Sequence, residues 1–197
     1  MQPYTRKYPF FSLCGLNCGL CPMHQTKAAS RCPGCGGENF HLQHPTCAII
    51  TCSHRHGDPE FCFECADYPC ERYAAGNMKD SFISYRHAAD DVRRVQQEGI
   101  SAYRAELDEK IVLLEQLLER YNDGRSKSFL CNAVNQLPLE VVRRVAGTMK
   151  QADTSAGFAA EADAAVAPAE RKARAATIRG LFESEAARLG LSLSMRK

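Results

Sequence analysis

The strongest local signal in this sequence is the stretch Cys32-Pro33-Gly34-Cys35-Gly36, which we call the knuckle. Two thiolates separated by two residues can bind one tetrahedral ion from a tight turn, and glycines there accept the positive φ angles that let N–H groups point at the sulfurs. Such a turn supplies half of a metal site. His44 and Cys47 have the same spacing, with histidine in the first place, so the two pairs together predict a Cys3His zinc site.

Two further pairs with this spacing, Cys18 with Cys21 and Cys62 with Cys65, could close a second site across the fold. The full set of predicted metal ligands is Cys14, Cys18, Cys21, Cys32, Cys35, His44, Cys47, Cys52, Cys62, Cys65 and Cys70. These 11 candidates exceed the eight ligands of two tetrahedral ions and fall one short of twelve, so we predict two or three zinc ions. The pairing of ligands with ions stays open, and a further donor could come from His24, His41, His54 or His56.

Composition limits the possible classes of protein. The chain has 197 residues, which fits one ordinary domain or a small domain joined to a helical one, and excludes a large catalytic barrel. Ten of its 11 cysteines fall between Cys14 and Cys70, while a hydrophobic content of 45% is normal for a chain that buries a core. The net charge of +2 is too small to indicate nucleic acid or an anionic membrane as the main partner.

The compartment is predicted from what the sequence lacks. Residues 1–10 contain no apolar stretch typical of a signal peptide, and no later segment approaches 18 consecutive apolar residues. We therefore expect a cytoplasmic protein with no membrane partner. Thiols stay reduced in that compartment, so a dense group of cysteines indicates metal binding or catalysis before it indicates disulfides.

Helical periodicity begins after the cysteines. Phe82, Tyr85, Ala89 and Val92 predict a helix with Asp80 as its N-cap and Gly99 as its stop. A second helix is predicted over 107–121, a third over 127–136, a fourth from Pro138, and a last one, with Ile178, Leu181, Phe182 and Leu189 on its apolar face, that ends near Gly190.

These patterns predict four segments: a cysteine-rich zinc-binding segment (1–75), a helical region (76–151), an alanine-rich linker or weak helix (152–169), and a C-terminal helix with a tail (170–197). The predicted fold class is α+β, mainly α. In this fold a small, metal-organised N-terminal segment packs on a C-terminal bundle of four to five helices.

The order of the cysteine motifs resembles that of the uncharacterised domain-of-unknown-function family numbered 3795, found in bacteria and archaea. The shared features are an opening Cys-Gly-Leu-x-Cys-x-x-Cys at 14–21, the knuckle, a middle element at His44, Cys47 and Cys52, and a closing Cys-x-x-Cys-x-x-x-Pro-Cys at 62–70. Residues 124–131 and 137–139 are similar to the helical half of longer members. Histidine at position 44 replaces the usual cysteine, and this favours zinc because histidine is an ordinary zinc ligand and a rare iron–sulfur one. The resemblance implies zinc binding and no established activity.

The spacing Cys14-x3-Cys18-x2-Cys21 also supports a different class of protein. It is the cysteine spacing of radical S-adenosylmethionine enzymes, in which three thiolates leave one iron open for the cofactor. An iron–sulfur or thiol-redox enzyme using these three cysteines is therefore the main alternative, although the barrel of βα units that radical chemistry needs is not evident after Cys21. A second alternative is zinc-ribbon-type nucleic-acid binding, which the lack of interleaved basic and aromatic residues disfavours.

Outside the cysteine-rich segment, Arg125 and Lys127 flank the start of the third helix and are candidates for holding a phosphate or an acidic partner. The alternative is a simple turn followed by a serine N-cap. Cys131 is predicted to be a buried, inert thiol, or else a late-arriving metal ligand. Since no catalytic residue is evident, we expect structural zinc sites that support an interaction surface for an unidentified protein partner.

Overall fold

The computed structural model describes residues 3–71, 80–155 and 167–196. Within these residues the chain forms two short 3₁₀ helices, seven α-helices and no strand. The 3₁₀ helices are Cys18–Leu20 and Cys62–Glu64. The α-helices are α1 (Phe40–Gln43), α2 (Ala48–Ser53), α3 (Ala88–Glu98), α4 (Ile100–Tyr121), α5 (Lys127–Gln136), α6 (Leu139–Ser155) and α7 (Pro168–Arg188).

The predicted α+β class is wrong, because the described residues contain no sheet. The physical reason lies in the sequence of the cysteine-rich segment. Strands need runs of β-branched and aromatic residues, and the longest β-branched run here, Ile49-Ile50-Thr51, lies inside α2. The Thr51 hydroxyl donates to the carbonyl oxygen of Cys47, 3.1 Å away, as threonine does within a helix. Turns and single helical turns therefore replace the expected strands.

The described chain divides into two compact units. One contains the residues up to Leu107 together with Met195 and Arg196, and the other contains residues 108–194. The predicted division at residues 75, 151 and 169 stays a prediction. The part of the predicted linker at 156–166 lies outside the described residues.

In the first unit, the opening cysteine loop is fixed to α3 and α4 by a buried amide. Asn17, which is 4% exposed, donates from Nδ2 to Asp91 at 3.1 Å and accepts from the Tyr103 hydroxyl at 2.9 Å. The Phe11 ring packs on the Tyr103 ring with centroids 4.8 Å apart. The buried amide both donates and accepts a hydrogen bond, and these bonds compensate the cost of removing it from water.

The start of α3 differs from the prediction. Asp80 does not cap a helix: its carboxylate accepts from the Tyr85 amide at 2.8 Å and the Ser84 hydroxyl at 2.9 Å, which closes a turn before the helix begins at Ala88. Phe82, expected on the buried face, is 49% exposed. The predicted stop is confirmed, since Gly99 ends α3 with φ +83°.

The second unit contains residues 108–121 of α4 with α5, α6 and α7. Its core is hydrocarbon, with Leu114, Val142, Ile178 and Phe182 each fully buried. A buried carboxylate lies among these helices: Asp153 accepts from the Tyr121 hydroxyl at 2.6 Å and from Arg174 at 2.8 Å. Leu189, predicted to be in the core, ends α7 and is 47% exposed. No described helix combines the length and the apolar content that crossing a bilayer requires.

Candidate metal centre

No disulfide joins any of the 11 cysteines. Eight of the ten in the cysteine-rich segment are partly buried, and Cys14 and Cys35 are fully buried. Unbonded sulfurs leave each thiolate available as a separate ligand, which a metal site requires.

Two of the Cys-x-x-Cys pairs adopt the same backbone turn. In each, a 3₁₀ helix begins at the first cysteine, and the amide of the second donates to the carbonyl of the first at 3.1 Å, from Cys21 to Cys18 and from Cys65 to Cys62. The second cysteine is extended in both, with φ and ψ of −70° and 137° at Cys21 and −71° and 138° at Cys65. The equal spacing in sequence therefore corresponds to an equal local geometry.

The knuckle is held against residues 6–10 by backbone contact. The Cys35 amide donates to the carbonyl of Pro9 at 2.8 Å, and the Arg6 amide donates to that of Gly36 at 2.9 Å. Gly36 has φ +75°, and a Cβ there would lie 2.6 Å from Cγ of Arg6. The predicted need for positive φ at the knuckle is thus met at Gly34 (+89°) and Gly36, and close packing is a second reason for glycine.

Cys35 belongs to the small core of this segment, together with Tyr4, Leu13, Phe40 and Ile50. Five partly buried residues pack around that core: Cys18, Cys32, Cys47, Ile49 and Cys62. The core thus gathers cysteines from the opening motif, the knuckle, the middle element and the closing motif.

Burial shapes the electrostatics of these thiols. Desolvation raises the pKa of Cys18 well above the ordinary value, with repulsion from Cys35, Cys14, Cys21 and Cys32 adding to the effect. It also raises the pKa of Cys35 to about 11, although the neighbouring Arg6 guanidinium opposes the shift. The pKa of Cys62 is raised by burial and by repulsion from Cys14, Cys70 and Cys52. These cysteines are therefore neutral thiols at physiological pH unless a cation stabilises the thiolate, which disfavours them as redox nucleophiles.

Arg6 is a buried cation of the segment, with a side chain only 1% exposed. Its guanidinium donates to the carbonyls of Glu60 at 3.0 Å and Phe11 at 2.9 Å, and it pairs with the Glu60 carboxylate at 3.2 Å. The hydrogen bonds hold it beside Cys35, so its positive charge lies where thiolates would carry negative charge. No motif or ligand spacing in the sequence marks this residue.

The closing motif surrounds a small cavity. Four cysteines line it, Cys52, Cys62, Cys65 and Cys70, and His56 lies among them with Ile49, Ser53, Pro59 and Tyr68. The cavity volume is about 40 Å³, which admits an ion or a water molecule but no organic cofactor. The structure thus groups Cys62 and Cys65 with Cys52 and Cys70, whereas Cys18 and Cys21 do not line this cavity.

Beside the cavity, three potential ligand atoms already lie close together. Those of His56, Cys65 and Asp67 are all within 4.8 Å of one another, and no other group of three or more such residues in the described ranges meets that distance. His56 is predicted only as a possible further donor, and Asp67 is not among the predicted ligands. Its position two residues after Cys65, within the closing motif, is the signal that could have identified it.

The predicted ligand His44 has a different environment. Its Nδ1 lies 2.8 Å from the Pro45 carbonyl oxygen, and its ring stacks on Phe40 with centroids 4.5 Å apart. Its role as a partner of Cys32, Cys35 and Cys47 stays a prediction.

Arg125 and Lys127 adjoin a turn that already contains an anion. The Asp123 carboxylate accepts from the Arg125 amide at 3.0 Å and from the amide and hydroxyl of Ser126 at 2.9 and 2.8 Å. Ser126 occupies the N-cap position of α5, but its hydroxyl bonds to Asp123 instead of to the helix. Cys131 is buried in the core of the second unit, as expected of an inert thiol.

The structure therefore defines a disulfide-free, cysteine-rich helical segment with a candidate metal centre. Residues 10–75 match the model of the family described as Protein of unknown function (DUF3795). The match includes the ten cysteines of the segment and confirms the resemblance inferred from the motifs. Neither the curated proteins nor the solved structures include a significant match to the chain.

Proposed function

We propose that the cysteine-rich segment binds two or three zinc ions through its cysteine thiolates, and that the bound metal fixes a shape that presents an interaction surface to a protein partner. One observation carries this proposal: Cys52, Cys62, Cys65 and Cys70 line a single cavity without forming disulfides. Four thiolates are the donor set of a closed, structural zinc site. No three of these sulfurs, all of them in described residues, lie within 4.8 Å of one another, so the ion would draw them together on binding.

The buried charges support a cation at these sulfurs. Burial raises the pKa of Cys62, so that a thiolate there requires compensation by a positive charge. A zinc ion supplies that charge directly and binds cysteine in its deprotonated form. Arg6 adds a fixed positive charge that opposes the raised pKa of Cys62, which suits a cavity whose four thiolates outnumber the charges of a divalent ion.

A second ion is proposed for the opening motif and the knuckle. Cys18 and Cys32 pack on the core that contains Cys35, and repulsion from Cys14, Cys21, Cys32 and Cys35 adds to the raised pKa of Cys18. Four of these cysteines suffice for a tetrahedral ion. His44 and Cys47 are retained as candidate ligands for the same region or for a third ion.

Zinc is favoured over an iron–sulfur cluster because His56 lies among the cysteines of the cavity, and imidazole is an ordinary zinc ligand. The test is metal and sulfide analysis of the full chain purified anaerobically. We expect a colourless protein with two or three zinc ions per chain. A brown protein with stoichiometric iron and inorganic sulfide would contradict the proposal and favour the cluster alternative.

The ligand assignment is tested with two matched cysteine variants. Cys62→Ser removes a cavity sulfur, whereas Cys131→Ser changes a buried cysteine in the other unit. We expect Cys62→Ser to lower the zinc content by one ion and Cys131→Ser to leave it unchanged. Equal zinc content in both variants would show that the cavity is not the metal site.

The interaction surface is tested separately, by affinity capture from the native cell with zinc-loaded wild type and with Cys62→Ser. A protein partner retained only by the wild type is the expected result. Retention by both forms would show that partner binding does not depend on the bound metal.

A further inference from the structure

We infer that His56, Cys65 and Asp67 together bind one divalent ion such as zinc. One coordination position of this ion stays open to a ligand from solvent. This inference rests on the proposed metal binding and adds an ion beside the cavity, with the Cys65 sulfur bridging it to the ion that the cavity cysteines hold. The three ligand atoms lie within 4.8 Å of one another, and Nε2 of His56 is 3.1 Å from Oδ2 of Asp67.

The hydrogen bonds of His56 direct one ring nitrogen toward this site. Nδ1 lies 2.8 Å from the carbonyl oxygen of Cys52, so it carries the proton and donates to that oxygen. When a metal ion displaces the proton from Nε2, this nitrogen presents its lone pair to the side where Asp67 and Cys65 lie. Donation from the second ring nitrogen to a backbone carbonyl is the arrangement that typically orients a metal-binding histidine.

The contact between Nε2 and the Asp67 carboxylate marks where an ion would lie. In the metal-free chain Nε2 donates a proton to Oδ2 at 3.1 Å, and a bound divalent ion would displace that proton and lie beside both groups. The sulfur of Cys65 completes a nitrogen, sulfur and oxygen donor set, which suits zinc and related borderline ions.

Local structure explains how the three residues meet. His56 follows shortly after α2, while Cys65 and Asp67 leave the second 3₁₀ turn two residues apart. Because α2 also contains Cys52, the carbonyl that orients the histidine belongs to a residue of the adjoining cavity.

The exposure of the ligands distinguishes this site from a closed structural one. The side chains of His56 and Asp67 are 35% and 65% exposed, so solvent reaches the ion from their side. Three protein ligands with a fourth position taken by water or an exogenous ligand are the pattern of catalytic zinc. An ion held in this way polarises a bound water or a small anionic ligand.

The ligand set is tested by the zinc content of the full chain carrying His56→Ala with Asp67→Asn. The matched control is His87→Ala with Asp90→Asn, which removes another His–Asp pair of the first unit, with ring nitrogen and carboxylate oxygen 3.7 Å apart. This pair belongs to no such group of ligand atoms in the described ranges. We expect the first variant to lose one zinc ion and the control to lose none. Asp67→Asn alone, an exposed and isosteric change, replaces the double variant if that variant does not fold.

If both double variants keep the full zinc content while Cys65→Ser loses an ion, His56 and Asp67 form only an ion pair and the inference is overturned, although the proposed function survives. If the wild type itself binds no zinc, the proposed function fails first.

The open position is tested with cobalt in place of zinc and azide as the added ligand. In the wild type we expect azide to shift the visible absorption bands of bound cobalt, and we expect this shift to disappear in His56→Ala with Asp67→Asn. Unchanged wild-type bands would show that protein ligands fill every position, which overturns the open site.

Discussion

The cysteine-rich segment and the second unit stabilise their folds in different ways. Helices in the segment are three to six residues long, whereas α5, α6 and α7 have 10, 17 and 21 residues. Isolated helices shorter than about 12 to 15 residues are marginal in water, so the short ones depend on other contacts. The segment must therefore obtain its order from its turns, its small core and the proposed metal, while long helices bury whole apolar faces in the second unit.

The two regions also differ in how their buried polar groups are compensated. In the second unit, Asp153 is compensated by protein alone, through Tyr121 and Arg174. In the segment, buried thiols lie around Cys35, and burial raises their pKa values. The first arrangement is complete without a ligand, whereas the second becomes favourable for thiolates only when a cation is added.

Metal removal should have the largest effect, and it should unfold the cysteine-rich segment while leaving the second unit folded. A structural zinc ion contributes about 10 to 16 kcal/mol of binding free energy at neutral pH in small metal-dependent modules. We expect treatment with a chelator and a reductant to abolish amide-exchange protection across residues 10–71. Protection in 108–155 should persist, because the cysteines that line the cavity all lie in the other unit. Hydrogen exchange read by mass spectrometry measures both regions in one sample.

Re-addition of zinc is the control, and it should restore protection in the segment. Unchanged protection after complete metal removal would show that the core around Tyr4, Leu13 and Phe40 is sufficient, and the contrast between the two regions would fail.

Removing a buried hydrocarbon side chain from the second unit should destabilise that unit and leave zinc binding unchanged. Phe182 is fully buried in α7, and truncating a buried phenylalanine to alanine costs about 3 to 5 kcal/mol. We expect Phe182→Ala to lower the free energy of unfolding of residues 108–194 by this amount, measured by urea denaturation. Zinc content should stay at the wild-type value, and a loss of zinc would show that the two regions are coupled.

Sequence reasoning succeeded where one pattern dominates. The third helix is predicted at 127–136 and found at Lys127–Gln136, because Asn122-Asp123-Gly124 breaks the chain before it and Pro138 follows its end. It failed at Phe82, where helical spacing is present but Asp80 and Ser84 close a competing turn. It also failed for the expected sheet, since a cysteine-rich segment carries no periodic signal from which strands or their absence could be inferred.

The sequence predicts which residues are candidate metal ligands, but it does not predict which of them lie together in the fold. Spacing identifies the Cys-x-x-Cys turns, and two of them do share one backbone geometry. Which pairs meet depends on contacts distant in sequence, such as the Cys62 amide donating to the Leu13 carbonyl at 2.9 Å. Arg6 lies outside any metal-ligand spacing, so only the folded chain shows its proximity to Cys35.

A smaller effect is expected at the knuckle. Gly36→Ala places a Cβ 2.9 Å from the Arg6 amide nitrogen at a residue with φ +75°, and we expect a cost of about 2 to 3 kcal/mol in the cysteine-rich segment. Gly57→Ala is the matched control, since Gly57 has φ +80° but no atom within 4 Å of the position that a Cβ would take. It should cost only about 1 kcal/mol. Thermal unfolding of the zinc-loaded variants measures the difference, and equal costs would mean that close packing at the knuckle is unimportant.

The smallest expected effect concerns the turn before α5. Asp123→Ala should lower the stability of the second unit by about 1 kcal/mol at neutral pH, as the loss of a capping-type side chain does. Hydrogen bonds from the Arg125 amide and Ser126 hold the pKa of Asp123 below its usual 3.8. The stabilisation is therefore fully present above pH 3.8 and is lost as the pH falls through the lowered pKa, so the wild type and the variant should converge in acid.

The same variant tests the anion site predicted at Arg125 and Lys127. If the Asp123 carboxylate is the anion of this turn, phosphate should stabilise Asp123→Ala and leave the wild type unchanged in thermal unfolding at about pH 7. Equal stabilisation of both proteins would instead show that an anion binds beside Asp123, and that the two basic residues are available to a phosphate or an acidic partner. The outcome decides whether this turn binds an external anion or whether the Asp123 carboxylate already accepts its hydrogen bonds.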